Sequence, residues 1–179
     1  MNRRYFLSSS IALATLAACS RSPLASVALM DDKTTKGNNP YSLNAQGVKK
    51  VNTTNEEWKR LLTTQQYNVT REKGTEAPFS SPLNEIHEQG IFECVACGLP
   101  LFSSSAKFDS GTGWPSFWQP IAKENVLEET DNSLSETRTE VLCARCDSHI
   151  GHVFEDGPRP TGLRYCMNGV ALKFVKGKA

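Results

Sequence analysis

The sequence has little excess charge and no long hydrophobic segment, and both absences narrow its function. Its 179 residues carry 20 Lys and Arg against 19 Asp and Glu, a formal net charge of +1, without a long basic run. This balance excludes a protein that binds nucleic acid through bulk attraction to phosphates. No apolar run approaches the roughly 18 residues of a membrane-spanning helix, which excludes a polytopic membrane protein. The length fits one domain of common size.

The chain is rich in cysteine for its length, with six cysteines, and their spacing indicates their roles. Cys94-x-x-Cys97 and Cys143-x-x-Cys146 are two pairs whose sulfurs can each reach one ion through a tight turn, which Gly98 favours. We therefore predict one structural zinc ion bound by Cys94, Cys97, Cys143 and Cys146, with no open coordination position. Buried free thiols and two redox-active disulfides are the alternatives. The redox alternative is weakened because neither pair opens a βαβ unit.

The first 18 residues read as an export signal, in which Arg3 and Arg4 resemble a twin-arginine motif and precede a short apolar stretch and small residues. Leu16 to Cys19 resembles a bacterial lipobox, which would place a lipid on Cys19. A cut after Ala28, giving a soluble periplasmic protein, and an uncleaved N-terminus are the alternatives. We expect export to the bacterial cell envelope or periplasm as a lipoprotein. Loss of residues 1–18 removes two positive charges, so only a lipid on Cys19 would hold the protein at a membrane.

Composition separates a tether from a folded domain. Residues 19–52 are polar and lack periodicity, which predicts a flexible tether, and residues 53–179 form the predicted domain. Thr54 and Glu57 form a predicted capping box, followed by Trp58, Leu61 and Leu62 on one helical face. A second helix is expected over 64–73, with Gly74 as its C-cap. Strand-like segments are found at 91–95, 139–143, 163–167 and 170–175. This order predicts an α+β fold with a mostly antiparallel sheet.

Cys166 lies outside the two cysteine pairs. On a regular strand it shares one face with Arg164 and Asn168, away from the apolar side. A nearby cation lowers the pKa of a thiol and raises its reactivity. A buried thiol without a chemical role is the alternative.

Two of the three histidines, His149 and His152, follow the second cysteine pair directly. A regular strand would send them to opposite faces, but Gly151 between them favours a bulge that redirects one. Beside Cys166 they would act as a proton donor and its orienter, whereas ordinary packing is the alternative. Trp114 follows a glycine-rich turn, where an indole can form a wall for a small apolar group or pack in the core.

Taken together, these segments resemble the methionine-R-sulfoxide reductase family. The matching stretches run in the family's order from about Trp58 to Phe174, most of the chain after its signal. They are Gly74-Thr75-Glu76-x-Pro78-Phe79, Cys94-x-x-Cys97-Gly98-x-Pro100-Leu101-Phe102, Lys107-Phe108-Asp109-Ser110-Gly111-Thr112-Gly113-Trp114-Pro115-Ser116-Phe117, Cys143-x-x-Cys146-Asp147-Ser148-His149-x-Gly151-His152-Val153-Phe154 and Arg164-Tyr165-Cys166-x-Asn168.

The resemblance implies a β-tent fold of the Mss4-like type, with two small antiparallel sheets bridged by zinc and helices in front. It implies reduction of the R epimer of methionine sulfoxide, free or in proteins, as repair of oxidative damage. Cys166 would attack the sulfoxide sulfur and become a sulfenic acid. His149 and His152 would bind and protonate the departing oxygen, Asn168 would help set the site, and Trp114 would contact the substrate methyl. Arg164 is carried over as a substrate-binding residue.

Two departures from the family pattern bear on this expectation. Many relatives have a resolving cysteine where this chain has Thr112, and Gly169 replaces a more usual serine. The usual intramolecular disulfide therefore cannot form, and we expect an external reductant such as a thioredoxin-like or glutaredoxin-like protein or a small thiol. A monomer is expected. The rival hypothesis is an inactive zinc-ribbon-like module that presents Trp114 and Trp118 to a protein partner.

Overall fold

Two short helices open the part of the chain that this computed structural model describes, residues 47–177. Helix α1 spans Asn55–Leu61, and its capping box is confirmed, because Thr54 and Glu57 each accept a hydrogen bond from the other's backbone amide. The predicted apolar face is wrong at Leu61. Trp58 and Leu62 are buried, whereas Leu61 is 70% exposed. The helix ends there, and a stripe through Trp58 and Leu62, one turn apart, is all that it buries.

Helix α2 spans Thr64–Glu72 and ends one residue earlier than predicted. The left-handed residue at its end is Lys73, with φ 56°, and not Gly74. A Cβ atom at Gly74 would lie 2.1 Å from Oδ1 of Asn68, so the side chain of Asn68 would have to shift to accept one.

Among the described residues, nine strands follow the helices and form two antiparallel sheets, which confirms the α+β prediction. The strands are β1 (Gly90–Cys94), β2 (Pro100–Ser103), β3 (Lys107–Phe108), β4 (Ser116–Phe117), β5 (Val126–Asp131), β6 (Arg138–Cys143), β7 (His149–Phe154), β8 (Arg164–Met167) and β9 (Leu172–Lys176). One sheet has the order β2-β1-β9, and the other has the order β3-β4-β8-β7-β6-β5. The second sheet carries the candidate site.

The start of the last strand differs from the prediction. Val170 lies in a 3₁₀ turn over Gly169–Ala171, and the strand begins at Leu172. The turn forms because the side chain of Glu76 accepts hydrogen bonds from the backbone amides of Gly169 and Val170. A contact across 93 residues of sequence therefore decides where β9 begins.

An aromatic core joins the two sheets. Phe102 on β2 stacks on Phe117 on β4, with ring centroids 4.5 Å apart, and Phe92 on β1 meets the same ring edge-on at 4.9 Å. All three side chains are fully buried. Aromatic pairs at these distances stabilise a core beyond the area that they bury. Within residues 47–177 no helix has the length and hydropathy needed to cross a membrane.

The predicted export signal and most of the predicted tether lie outside the described residues. The last part of the tether, residues 47–52, lies along the domain. The backbone amide of Val51 donates to the carbonyl of Arg145 at 2.8 Å, and Lys50 forms an ion pair with Asp147.

Candidate active site

Four cysteines converge at the junction of the two sheets. The sulfur atoms of Cys94, Cys97, Cys143 and Cys146 all lie within 4.8 Å of one another. Two of the sulfur pairs, Cys94 with Cys146 and Cys97 with Cys143, are 3.7 and 3.5 Å apart. Zinc bound to four thiolates at about 2.3 Å would space them by about 3.8 Å, so the cluster fits a tetrahedral metal site.

Matching backbone turns present these sulfurs. In each pair the residue after the second cysteine has a positive φ, 69° at Gly98 and 55° at Asp147, and its amide donates to the carbonyl of the first cysteine. Glycine adopts this conformation readily, as the sequence predicted for the first turn. One turn connects β1 to β2 and the other connects β6 to β7, so the cluster takes two ligands from each sheet.

Cys166 lies in the middle of the six-stranded sheet, on β8. Its register partners are Ser116 on β4 and His152 on β7. The half-buried thiol lines an open cleft of about 120 Å³, which we call the Cys166 cleft. Its lining includes three other predicted site residues, Trp114, His152 and Asn168.

The predicted bulge is present in β7 and brings the two histidines together. Val141 on β6 pairs with Gly151 and Leu142 pairs with His149, so Ile150 is an extra residue without a partner on β6. An extra residue shifts the alternation of side chains by one position. The rings of His149 and His152 consequently lie with centroids 5.3 Å apart, although a regular strand would separate them.

Each histidine is hydrogen-bonded to a carboxylate that sequence reasoning missed. Nδ1 of His149 lies 2.7 Å from Oε1 of Glu140, and Nε2 of His152 lies 2.7 Å from Oδ2 of Asp131. Hydrogen bonds from Ser133, and then the one from His152, hold the pKa of Asp131 far below its usual value. An ionised carboxylate only accepts, so these ring nitrogens carry protons. Strand β6 supplies Glu140 and strand β5 supplies Asp131, two register positions apart.

His149 lies deeper than His152. It is 2% exposed, and burial lowers its pKa although its hydrogen bond to Glu140 acts in the opposite direction. Its Nε2 atom is buried and has no hydrogen-bond partner among residues 47–177. The ring therefore keeps Nε2 available. A histidine that only packed in the core would leave this buried polar atom without a hydrogen bond, which native structures rarely do.

Asn168 holds the bulge and the wall of the cleft in place. Its side-chain amide and its backbone amide both donate to the carbonyl of Ile150, the bulged residue, at 3.2 and 2.8 Å. Its side-chain oxygen accepts from the backbone amide of Glu76 at 3.1 Å. The carbonyl of Glu76 in turn accepts from the indole Nε1 of Trp114 at 3.1 Å. Buried Glu76 thus connects the predicted residues Asn168 and Trp114, and sequence reasoning gave it no role of its own.

The glycine at position 169 is matched to its surroundings. A Cβ atom there would lie 1.9 Å from the hydroxyl oxygen of Ser81 and 3.3 Å from a carboxylate oxygen of Glu76. Ser81 therefore occupies the space that a side chain at this position would need, and the departure from the usual serine leaves no gap.

The other departure places a hydroxyl beside the thiol. Oγ1 of Thr112 lies 3.7 Å from the sulfur of Cys166 and 2.8 Å from the hydroxyl of Ser110, which also bonds Ser116. The turn that carries Thr112 has positive φ at Gly111 and Gly113.

Arg164 is placed differently from the other predicted site residues. Its guanidinium makes two hydrogen bonds of 2.8 Å to the carboxylate of Asp156 and lies over the ring of Phe154, 4.3 Å from its centroid. These contacts support Phe154, which lines the Cys166 cleft. The guanidinium also interacts with the thiol of Cys166, and Asp156 first, then Cys166, raise the pKa of Arg164. Trp118 is half-buried, and His87 is exposed.

The thiol of Cys166 lies opposite an imidazole and shares its cleft with an indole, apart from the four-cysteine cluster. This is the arrangement of a thiol-dependent oxidoreductase. The family model described as the SelR domain matches residues 62–176. Three curated relatives are each called peptide methionine sulfoxide reductase MsrB. That of Hahella chejuensis is 54% identical over 125 residues, which cover 70% of this chain and 90% of the relative.

The relative from Pseudomonas fluorescens is 55% identical over 128 residues, 72% of this chain and 98% of that protein. The relative from Methanosarcina mazei is 56% identical over 127 residues, 71% of this chain and 91% of that protein. The chain therefore belongs to the SelR family of MsrB-type methionine-R-sulfoxide reductases, which confirms the resemblance drawn from the motifs.

Proposed function

We propose that this protein repairs oxidised proteins by reducing the R epimer of methionine sulfoxide to methionine, with Cys166 as the nucleophile. The observation that carries the proposal is the cross-strand placement of Cys166 opposite His152, in a cleft walled by Trp114. The family membership supports the reaction, and the cleft supports the roles. No observation favours the inactive zinc-ribbon-like module.

In the proposed reaction the sulfur of Cys166 attacks the sulfoxide sulfur, and the sulfoxide oxygen takes up a proton. Methionine leaves, and the oxygen ends on Cys166 as a sulfenic acid, so the thioether gains the two electrons that the thiol loses. An external thiol attacks the sulfenic acid and releases water, and a second thiol then restores the Cys166 thiol by disulfide exchange. A thioredoxin-like or glutaredoxin-like protein is the proposed partner, and the enzyme is proposed to act as a monomer.

The histidines would supply and position the proton. With Nε2 of His152 donating to Asp131 and Nδ1 of His149 donating to Glu140, each ring is held in one tautomer. When protonated, the imidazoles of His149 and His152 would bind the sulfoxide oxygen, and one would transfer its proton as the sulfur–oxygen bond breaks. Asn168 acts as a positioning residue through the carbonyl of Ile150, and Trp114 offers its ring to the methyl group.

Cys94, Cys97, Cys143 and Cys146 would hold one zinc ion with no open coordination position, which would stabilise the junction of the sheets and take no part in the reaction. Residues 1–18 are proposed to export the protein to the bacterial cell envelope, where a lipid on Cys19 or a cut after Ala28 would leave it anchored or soluble. Residues 53–179 are the proposed catalytic domain.

Turnover of the separated R epimer of a methionine sulfoxide peptide with a small dithiol tests the proposal. The intact protein should consume the R epimer and leave the S epimer, because one hand alone brings its oxygen to the histidines while its methyl meets Trp114. Cys166→Ser should abolish turnover and keep the metal, and Trp114→Ala should reduce the preference between epimers. Equal rates on both epimers, or turnover by the Cys166→Ser protein, would refute it.

A further inference from the structure

A second pocket, of about 150 Å³, adjoins the Cys166 cleft, and Trp114 lines both. Its apolar walls are Phe79, Phe108, Trp114 and Pro115. The chain also runs from one to the other, because Thr75 lines the cleft and Phe79 lines the second pocket. The proposed reaction makes no use of this second pocket.

The ring of Phe79 is held exposed at the edge of the second pocket. It is 73% exposed, and its backbone has a φ of 62°, which is unusual for a bulky residue. Its amide donates to the carbonyl of Gly113 at 2.7 Å. A Cβ atom on Gly113 would come within 2.9 Å of two carbons of the Phe79 ring, so the absence of a side chain at Gly113 lets the ring lie against the turn. The fold thus keeps an aromatic ring in a strained, exposed position beside Trp114, as functional surfaces do.

Two of the polar side chains that line the second pocket are hydrogen-bonded to its own backbone. The ammonium group of Lys107 donates to the carbonyl of Asn84 at 2.7 Å, and the side-chain amide of Asn84 donates to the carbonyl of Gly113 at 3.0 Å. Phe79, Phe108, Trp114 and Pro115 therefore offer a ligand an apolar wall next to an equal share of polar lining. Two exposed carboxylates, Glu85 and Asp109, also line the pocket against the one ammonium group of Lys107, and this excess of negative charge disfavours an acidic ligand.

We propose that the second pocket binds an apolar side chain that flanks methionine sulfoxide, one or two positions away, in a polypeptide substrate. The inference rests on the proposed function. An extended chain advances about 3.3–3.6 Å per residue. One or two residues of a bound polypeptide therefore suffice to reach from the Cys166 cleft past Trp114, which lines both pockets, into the second pocket. The pocket would make the enzyme select flexible polypeptides with an apolar neighbour.

Five blocked pentapeptides test this subsite. The parent is Gly-Gly-Met-Gly-Gly with its methionine as the R sulfoxide, and each of the others replaces one glycine by leucine. At least one leucine peptide should exceed the parent in kcat/KM by about fivefold or more, the range that a partly enclosed apolar group supplies. Aspartate at the same position should lower kcat/KM below that of the parent.

Two variants of Phe79 and one matched control assign the effect to the pocket. Phe79→Ala should bring the leucine-to-glycine ratio of kcat/KM close to one, and Phe79→Tyr should keep it, because the ring remains. Leu61→Ala removes a side chain of similar exposure, 70%, at the end of α1, and should keep the wild-type ratio. Circular dichroism and the melting temperature of each variant verify that it is folded.

The outcomes separate the subsite from the reaction. If the wild type reduces every peptide at the same kcat/KM, or if Phe79→Ala keeps the wild-type ratio, the subsite is refuted while the proposed function stands. Absence of turnover with all five peptides refutes the proposed function and the subsite with it.

Discussion

At the scale of single residues, buried His149 makes stability depend on pH. Burial lowers its pKa in the folded protein, while the imidazole of the unfolded chain titrates near about 6.5. The unfolded chain therefore binds a proton that the folded chain does not. The contribution to the free energy of unfolding is fully present above about pH 6.5 and is lost as the pH falls below that value.

Urea unfolding in steps from about pH 7.5 to 5.5 measures this dependence, in a window above the titration of unfolded carboxylates. His149→Gln keeps a donor for Glu140 and removes the titration, so its free energy of unfolding should fall less steeply across the window. Identical slopes for the two proteins would contradict the linkage.

The sequence identified the site residues whose chemical role follows from their residue type, without knowledge of the residues that they contact. An unpaired cysteine, two closely spaced histidines and a tryptophan after glycines stand out by type. Nothing in the sequence indicated a role for three acidic residues, Asp131, Glu140 and Glu76, because an acidic residue in a strand or loop usually faces solvent. Their roles come from the register of β5 with β6 and from a contact with the turn after β8, which no local pattern encodes.

At the scale of elements, the bulge in β7 decides whether imidazole and thiol meet. Gly151 pairs with Met167, and a Cβ atom there would lie 2.2 Å from the carbonyl oxygen of Cys166 and 2.9 Å from the Cα of Met167. Gly151→Ala should therefore push β7 away from β8 at the point where His152 faces Cys166. We expect a loss of about 1–3 kcal/mol in the free energy of unfolding and at least about tenfold in kcat/KM.

Gly177→Ala is the matched control for this variant, because nothing lies within 4 Å of a Cβ at that position. It should leave urea unfolding and kcat/KM within error of the wild type. Wild-type kinetics in the Gly151→Ala protein would show that the close approach of β7 and β8 is not needed.

Local patterns predicted the elements better than their ends. The capping box at Thr54 and the two cysteine turns depend on residues three or four apart, and both form as predicted. The start of β9 and the exposure of Leu61 depend on Glu76 and on where α1 stops, and the sequence pattern was wrong for both. Tertiary contacts decided these cases.

At the scale of the whole molecule, the four cysteines and the aromatic core are separate links between the two sheets. Zinc binding to such a site contributes on the order of 10 kcal/mol, comparable with the entire net stability of a domain of this size. Cys94→Ser should therefore release the metal and lower the melting temperature by well over 10 °C. Cys166→Ser, the control, should keep one zinc per chain by metal analysis. A metal-free Cys94→Ser protein of full stability would refute a structural zinc.

The number of free cysteine thiols in the whole chain determines how the Cys166 thiol is regenerated. Of its six cysteines, Cys94, Cys97, Cys143 and Cys146 form the proposed metal site, Cys166 is the proposed nucleophile, and only Cys19 remains. A lipobox cut would convert Cys19 to a thioether, and a cut after Ala28 would discard it. Thr112, whose hydroxyl lies 3.7 Å from the sulfur of Cys166, has no thiol to offer. The exported enzyme should therefore stop after one turnover, with Cys166 as a sulfenic acid, unless an external thiol is present.

Mass spectrometry of the exported protein after one turnover without reductant measures this. A sulfenic-acid adduct of a dimedone-type probe on Cys166, at one per chain, is expected. Thr112→Cys places a thiol beside Cys166, and in that variant the adduct should give way to a disulfide between residues 112 and 166. The uncleaved chain keeps Cys19 and serves as the contrasting control, since its free thiol has the chance to reach Cys166. A disulfide between Cys166 and any other cysteine of the exported wild-type protein would overturn the requirement for an external thiol.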